Sequence, residues 1–220
     1  MVKRTQKDEA IFRFHIDTER PEETHGNPLL YYKDSIFESY VNSKSLMRTQ
    51  EKITRRALEL LDLDEDAFLL DIGMVCGFST ATLVALGYSA VGIDIHRGML
   101  SYYDTLEFNP IESDFKYLTF RPNSFDGALS ISSVQWIFGI QNSEDRKKTI
   151  QSFVLSLGIA LKLDGKVVIQ FYPRSDEQMK ELGAEFIDST LFEGTYVVDN
   201  PENPRKRKIY LVATKIKHPV

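Results

Sequence analysis

Ala67-Phe68-Leu69-Leu70-Asp71-Ile72-Gly73-Met74-Val75-Cys76-Gly77 joins a short, nearly unbroken apolar run to a loop opened and closed by glycine. Such a run, ended by glycine, predicts a strand buried on both faces of a parallel sheet. Gly73 allows a sharp turn and lets the backbone approach a ligand with no Cβ in the way. The helix expected next would present unpaired N–H groups and a positive dipole end to an anion. Taken alone, the stretch is equally a tight strand-to-helix turn.

Outward from this point the pattern alternates. Leu46 to Leu61 precedes it with apolar residues at helical spacing. After it, Thr80 to Leu86 reads as a helix stopped by Gly87, Ala90 to Ile95 as a strand, and Gly98 to Leu106 as a helix. Phe125 to Ser132 reads as a strand, and Lys147 to Lys162 as a long amphipathic helix ending near Gly165. Lys166 to Tyr172 is a further strand, closed by Pro173. Ser175 to Ile187 is helical, with Ser175 as N-cap and Gln178 three residues on. Thr195 to Val198 and Ile209 to Thr214 finish the chain as strands with no helix between them. Strands separated by helices imply right-handed crossovers and a sheet covered on both faces. The expectation is therefore an α/β fold: a Rossmann-like three-layer αβα sandwich, with a mostly parallel seven-stranded sheet and a C-terminal antiparallel hairpin. Residues 1–45 carry Pro21, Gly26 and Pro28 and no sustained period, so they read as an N-terminal arm, partly lid-like. Residues 46–220 form the cofactor-binding domain.

The 220 residues suit one domain with a short appendage. A net charge of −5 argues against a free-standing nucleic-acid binder, which is normally basic. The clusters Arg205-Lys206-Arg207-Lys208, Arg146-Lys147-Lys148 and Arg55-Arg56 read as solvated turns or helix faces. No apolar stretch approaches the roughly 20 residues that cross a bilayer, and the polar N-terminus does not resemble a secretory leader. A soluble, cytoplasmic protein is expected, or a nuclear one in a eukaryote, with no membrane partner. Cys76 is the only cysteine, and His15, His25, His96 and His218 are scattered, so no metal site is expected.

The second strand ends in Val91-Gly92-Ile93-Asp94. An acidic residue about 20 positions after the first glycine is where a ribose diol is held, because a carboxylate accepts both hydroxyl protons. Asp94 is that residue, unless it merely caps the next helix. Gly73 and Asp94 at matched strand ends together favour a nucleotide-like cofactor. Asp114, after the third strand, is placed to accept from an exocyclic adenine amine, whereas Asp126 reads as structural. Ser130-Ile131-Ser132-Ser133-Val134-Gln135-Trp136 sets small polar residues and the only indole at the end of the fourth strand. Trp136 is either a core residue or a platform on which a flat purine stacks.

These stretches resemble the family that methylates guanine N7 in small-subunit ribosomal RNA. The resemblance rests on Arg20-Pro21-Glu22, Tyr31-Tyr32-Lys33-Asp34, Thr54-Arg55-Arg56-Ala57-Leu58-Glu59-Leu60-Leu61, Leu70-Asp71-Ile72-Gly73 and Gly92-Ile93-Asp94-Ile95. It continues through Asn123-Ser124-Phe125-Asp126, the Ser130 to Trp136 segment, Gln170-Phe171-Tyr172-Pro173 and Val197-Val198-Asp199-Asn200-Pro201. It implies an S-adenosylmethionine-dependent methyltransferase acting on ribosomal RNA or a pre-ribosome, in a heterodimer with a small zinc-binding activator protein. The cofactor residues it implies are Tyr32, Asp71, Gly73, Met74, Gly77, Asp94, Ile95, Asp114 and Ser132. Ser132, Gln135, Trp136 and Tyr172 would line the methyl-transfer site. Guanine N7 carries a lone pair and no proton, so the chemistry needs no general base; positioning and exclusion of water carry it.

One position departs from the family. Its first loop usually reads Asp-x-Gly-x-Gly-x-Gly, and the middle glycine here is Val75. A β-branched residue with positive φ is an outlier, so either the loop is re-routed and still binds the cofactor, or binding is weakened or lost; retained binding is the expectation, because Gly73, Gly77, Asp94 and Asp114 all remain. Two further classes stay open: a small-molecule methyltransferase with a pocket enclosed under the arm and no protein activator, and, on account of Val75, a non-catalytic ribosome-assembly or binding factor on the same fold.

Overall fold

The structure, a computed structural model, describes residues 14, 19–102 and 110–219. Seven strands form one sheet: β1 (Phe68–Ile72), β2 (Ser89–Asp94), β3 (Ile111–Glu112), β4 (Phe125–Ile131), β5 (Leu161–Phe171), β6 (Phe192–Asp199) and β7 (Lys208–Lys215). Their order is β3-β2-β1-β4-β5-β7-β6, parallel except where β7 runs antiparallel to both β5 and β6. The expected fold is thus present, hairpin included. The order reverses between β1 and β4, which is where ligands gather in sheets of this kind.

Side chains alternate across the sheet with the strand period of two. Leu69, Leu129, Val168 and Tyr210 meet α4 (Lys44–Leu61) and α5 (Phe78–Ala85) through Ile53, Leu61 and Leu83 on one face. Leu70, Ala128, Ile169 and Leu211 meet α7 (Ser143–Ala160) and α8 (Asp176–Asp188) through Phe153, Leu157 and Phe186 on the other. Asp126 is structural, as expected: it accepts from Phe68 N at 2.9 Å and from Lys162 Nζ at 2.6 Å.

Several boundaries differ from the sequence pattern, those of two helices most clearly. Helix α7 begins at Ser143 rather than Lys147, because Asn142 Oδ1 accepts from Glu144 N and Asp145 N and caps a polar first turn. It stops at Ala160, because Leu161 already pairs with Phe125 as the first residue of β5. The register then shifts before Gly127↔Lys166, with Asp164 at φ +62°. Helix α6 spans Arg97–Leu100, and the rest of the helix expected to Leu106 runs into residues outside the described set. The cap on α8 forms as expected: Ser175 Oγ accepts from Gln178 N, and Gln178 Oε1 accepts from Arg174 N.

Within the arm, residues that show no period fold as three short helices, α1 (Pro21–His25), α2 (Pro28–Tyr31) and α3 (Asp34–Val41). Each of the first two opens on a proline, which fits the first helical position. Helix α1 lies directly on the 3₁₀ turn Val134–Gly139, where a Cβ at Gly139 would collide with the Glu22 carbonyl.

Candidate functional site

The loop after β1 sets the geometry. Gly73, Val75 and Gly77 all adopt left-handed backbone, at φ +76°, +52° and +83°. Gly73 N and Met74 N both donate to Ile93 O, at 2.8 and 2.9 Å, and Gly77 N donates to Met74 O at 2.7 Å. Val75 therefore carries a β-branched side chain in the left-handed region, in a loop tied to β2 through Ile93 O. The side chain is held against the cluster of Cys76, Phe78 and Met99. Burial in that cluster pushes the Cys76 thiol up to about 12, leaving no thiolate near neutrality.

Left-handed backbone costs a residue with a Cβ about 1–2 kcal/mol. Val75→Gly and Val75→Ala lose nearly the same packing, but only glycine releases the strain. Allowing for glycine's entropic cost of about 0.5–1 kcal/mol, Val75→Gly should be the more stable of the two by about 1 kcal/mol, reversing the usual order. Denaturant unfolding of both variants checks this; an Ala variant at least as stable as the Gly variant would mean the loop relaxes out of the left-handed region.

Asp94, at the end of β2, ties this loop to the next turn. Its Oδ2 accepts from Val75 N at 2.9 Å, and its Oδ1 from His96 N at 2.7 Å. Burial raises its pKa, and the two amide donors work against that rise. His96 carries the tie on to the arm. Its Nδ1 accepts from Met99 N at 3.2 Å, which assigns the proton to Nε2, and Nε2 donates to Tyr32 O at 2.7 Å. Nothing in the sequence marks His96 for this role, because its partner lies 64 positions away.

At the end of β4, Ser130 Oγ donates to Ile72 O and Ser133 Oγ donates to Gly73 O, both at 2.9 Å. A Cβ at Gly73 would collide with the Ser133 side chain, so the glycine is needed for close packing as well as for its φ. Ser132 takes φ +57°, its amide donates to Gln170 O at 2.9 Å and its hydroxyl to Gln170 Oε1 at 2.8 Å. Left-handed backbone on a serine at a strand end, braced by a fully buried glutamine, is strain of the kind found at functional sites. Trp136 is half-buried, its ring 6.0 Å from that of Tyr32 and 6.1 Å from that of Tyr31.

These groups border a hollow whose walls include Tyr32, Gly73, Asp94, Ser132, Ser133 and Trp136. A second hollow adjoins it, bounded by Asp114 and Lys116 and sharing Pro28, Ile95, Phe115 and Trp136. The pair fits S-adenosylmethionine in its chemistry: a carboxylate for a ribose diol, apolar Ile95 and Phe115 for a purine face, and Asp114 beyond them for the purine amine. Of the residues expected at the site, Tyr32, Gly73, Asp94, Ile95, Asp114, Ser132 and Trp136 border these hollows. Four others are placed differently. Met74 lies behind the loop against Gly92, and Gly77 caps α5. Gln135 is half-buried, with Oε1 unpartnered among the described residues, and does not border either hollow. Tyr172 lines a separate hollow beside Arg20 and Arg207.

Asp71 is also set back from the hollow. It is fully buried, and its Oδ2 accepts from Ser79 Oγ and Thr80 Oγ1, both at 2.6 Å, bracing the start of α5. Its Oδ1 has no partner among the described residues. Burial raises the carboxyl pKa to about 6, against the hydroxyl bonds that favour the charge. A raised acid pKa means that the folded state binds the proton more tightly, so this group's contribution to stability falls as pH rises from about 4 to 6. Asp71→Asn removes the charge and keeps the acceptor. Above pH 6 it should stabilise the fold by about 2 kcal/mol, allowing roughly 1 kcal/mol for the amide left unpaired. Melting curves from pH 4 to 8 should show the gain shrinking towards acid; a gain independent of pH would assign it to packing.

Residues 70–168 match the family model described as a methyltransferase domain. The chain is 34% identical over 200 residues to the 18S rRNA (guanine-N(7))-methyltransferase bud23 of Schizosaccharomyces pombe, covering 88% of this chain and 73% of that protein. It is 38% identical over 192 residues to the 18S rRNA (guanine(1575)-N(7))-methyltransferase of Saccharomyces cerevisiae, covering 84% and 68%. Among solved structures, it superposes with TM-score 0.58 and 15% identity on a chain from the complex between the Haloferax volcanii Trm112 methyltransferase activator and a methyltransferase, covering 84% of this chain and 99% of that one.

Proposed function

The chain belongs to the family of 18S rRNA guanine-N7 methyltransferases, and from that membership we propose that it methylates N7 of a guanine in small-subunit ribosomal RNA, using S-adenosylmethionine. The observation that carries this reading is one hollow with two kinds of wall: Gly73 and the Asp94 carboxylate on one side, Ser132 and the half-exposed Trp136 on the other. When bound, the cofactor supplies an electrophilic methyl group on a sulfonium. Asp94 accepts the ribose hydroxyl protons while the Val75 and His96 amides hold its two oxygens in place. Ile95 and Phe115 cover the purine, and Asp114 takes its amine. Trp136 stacks on the target guanine, and Ser132, fixed by Gln170, borders the line along which N7 approaches. No side chain has to take a proton, because N7 carries none. The arm, residues 1–45, acts in part as a lid: Tyr32 closes over the hollow, latched through its carbonyl to His96.

Against a non-catalytic factor on the same fold stands the loop itself: Val75 N remains bonded to the Asp94 carboxylate and the loop to Ile93 O, so the cofactor residues stay assembled around it. The partner we propose is a small zinc-binding activator, forming a heterodimer. Two features support it: the fold shared with the Haloferax volcanii complex, and β3 at the rim of the sheet, with an exposed Ile111 and no strand paired beyond it among the described residues, which suits strand addition. Among the described residues no helix is long and apolar enough to cross a membrane; a cytoplasmic location, or a nuclear one in a eukaryote, follows from the proposed substrate.

The test is to incubate the chain, alone and with the activator, with methyl-labelled S-adenosylmethionine and small-subunit RNA, then digest the RNA and identify the nucleoside. N7-methylguanosine is the expected product. Labelling of another position, or of small molecules but not RNA, would overturn the reading.

A further inference from the structure

The Arg205-Lys206-Arg207-Lys208 cluster read as a solvated turn, but the fold sets it in a particular place. It occupies the β6–β7 connection, residues 200–207, and the start of β7. Because Ile209 pairs with Phe171, this turn stands at the carboxyl end of β5, on the same rim of the sheet as Gln170 and Ser132. It is also braced. Asn203 Oδ1 accepts from Arg205 N and Lys206 N, Arg207 N donates to Asn203 O at 2.8 Å, and Arg207 Nε donates to Pro201 O at 3.0 Å. Arg207 thus serves the turn itself. Arg205 and Lys206 are exposed and have no ion pair among the described residues, and Lys208 Nζ sits 5.1 Å from the centre of the Tyr172 ring. The neighbouring acids are largely spoken for: Asp199 is held by Arg56 at 3.0 Å, Glu23 by Arg174 and Glu22 by Arg20. Glu202, in the same turn, is exposed and has no ion pair among the described residues.

A stiff turn bearing unpaired cations, beside an aromatic ring already under a lysine, matches how single strands of nucleic acid are held: phosphates on the cations, a base on the ring. Arg20 links this patch to the site, since its guanidinium donates to Tyr172 O and it precedes α1, which packs on the turn carrying Trp136. We propose that Arg205, Lys206 and Lys208 dock the phosphates of the RNA strand flanking the target guanine, with Tyr172 as the platform for a neighbouring base. The proposal rests on the RNA-methyltransferase reading and extends it to a route across the surface. It also gives Tyr172 a role at the entrance rather than at the reacting atoms, and it shows how a chain of net charge −5 can hold RNA.

The test is fluorescence anisotropy of a labelled, short single-stranded RNA across a salt series, with wild type, Arg205→Ala/Lys206→Ala and the charge-keeping Arg205→Lys/Lys206→Arg. Each single-strand phosphate contact contributes about 0.7 to the slope of log affinity against log salt, so the Ala pair should lower the slope by about 1.4 and the affinity about 10-fold. The charge-keeping pair should bind as wild type does, and melting temperature and S-adenosylmethionine affinity should be unchanged in both. Wild-type slope and affinity in the Ala pair would overturn the docking proposal and leave the RNA-substrate reading intact. No salt-dependent RNA binding by wild type would overturn both. Unchanged RNA binding with weakened binding of polyglutamate would assign the patch to an acidic protein surface and equally overturn the proposal.

Discussion

Asp94→Ala is expected to lower the affinity for S-adenosylmethionine by about 10³-fold or more in calorimetric titration, while the chain stays folded. Hydrogen bonds to a charged acceptor are worth about 1.5–3 kcal/mol each, and two ribose hydroxyls lose theirs. The same substitution frees the Val75 and His96 amides, which Asp94 holds at 2.9 and 2.7 Å. Without that hold, the strained loop and the Tyr32 latch both loosen, so the loss should exceed the ribose bonds alone. Asp94→Asn keeps one oxygen but no charge and should fall between the two. The affinity of wild type should also weaken towards acid, because the protonated carboxyl can no longer accept from both hydroxyls. Burial raises the Asp94 pKa, so this weakening begins at a higher pH than for an exposed aspartate. Binding by the Ala variant within a few-fold of wild type would mean that the ribose is held elsewhere.

Asp94 was legible in the sequence because two local signals coincide, a glycine at one strand end and a carboxylate at the next. The strands were legible for a related reason: Phe68 to Ile72 and Phe125 to Ile131 are short, mostly apolar runs without helical spacing, as suits strands buried on both faces of a parallel sheet. The rest depended on distant partners. His96 looks like any residue opening a helix until Tyr32 O is found 2.7 Å from its Nε2. Helices α1 and α2, with five and four residues, are too short to express a period. Asp71 belongs to the cofactor motif in sequence, yet Ser79 and Thr80 draw its carboxylate beneath α5 and away from the hollow. Basic residues in a turn read as solvated unless the strand register shows which rim of the sheet the turn stands on.

Trp136→Ala should lower kcat/KM for RNA methylation by up to about 10²-fold, with a much smaller change in S-adenosylmethionine affinity. The bland reading of a lone tryptophan is core packing, and truncating a buried one costs about 3–5 kcal/mol of stability. Trp136 is half-buried, beside the rings of Tyr31 and Tyr32 rather than among the aliphatic residues of either core, so its removal should leave the melting temperature nearly unchanged. What it offers is a flat face bordering both hollows. Stacking of a base on an aromatic ring is worth about 1–3 kcal/mol, which spans the expected loss. The interaction also strengthens during the reaction. Methylation at N7 gives the guanine ring a positive charge, and a cation over an indole face is attracted to it, so part of the effect should fall on kcat rather than on KM. Trp136→Phe keeps a smaller π face and should recover part of the rate. A melting temperature that falls in step with activity would assign Trp136 to packing, and unchanged methylation by the Ala variant would remove it from the site altogether.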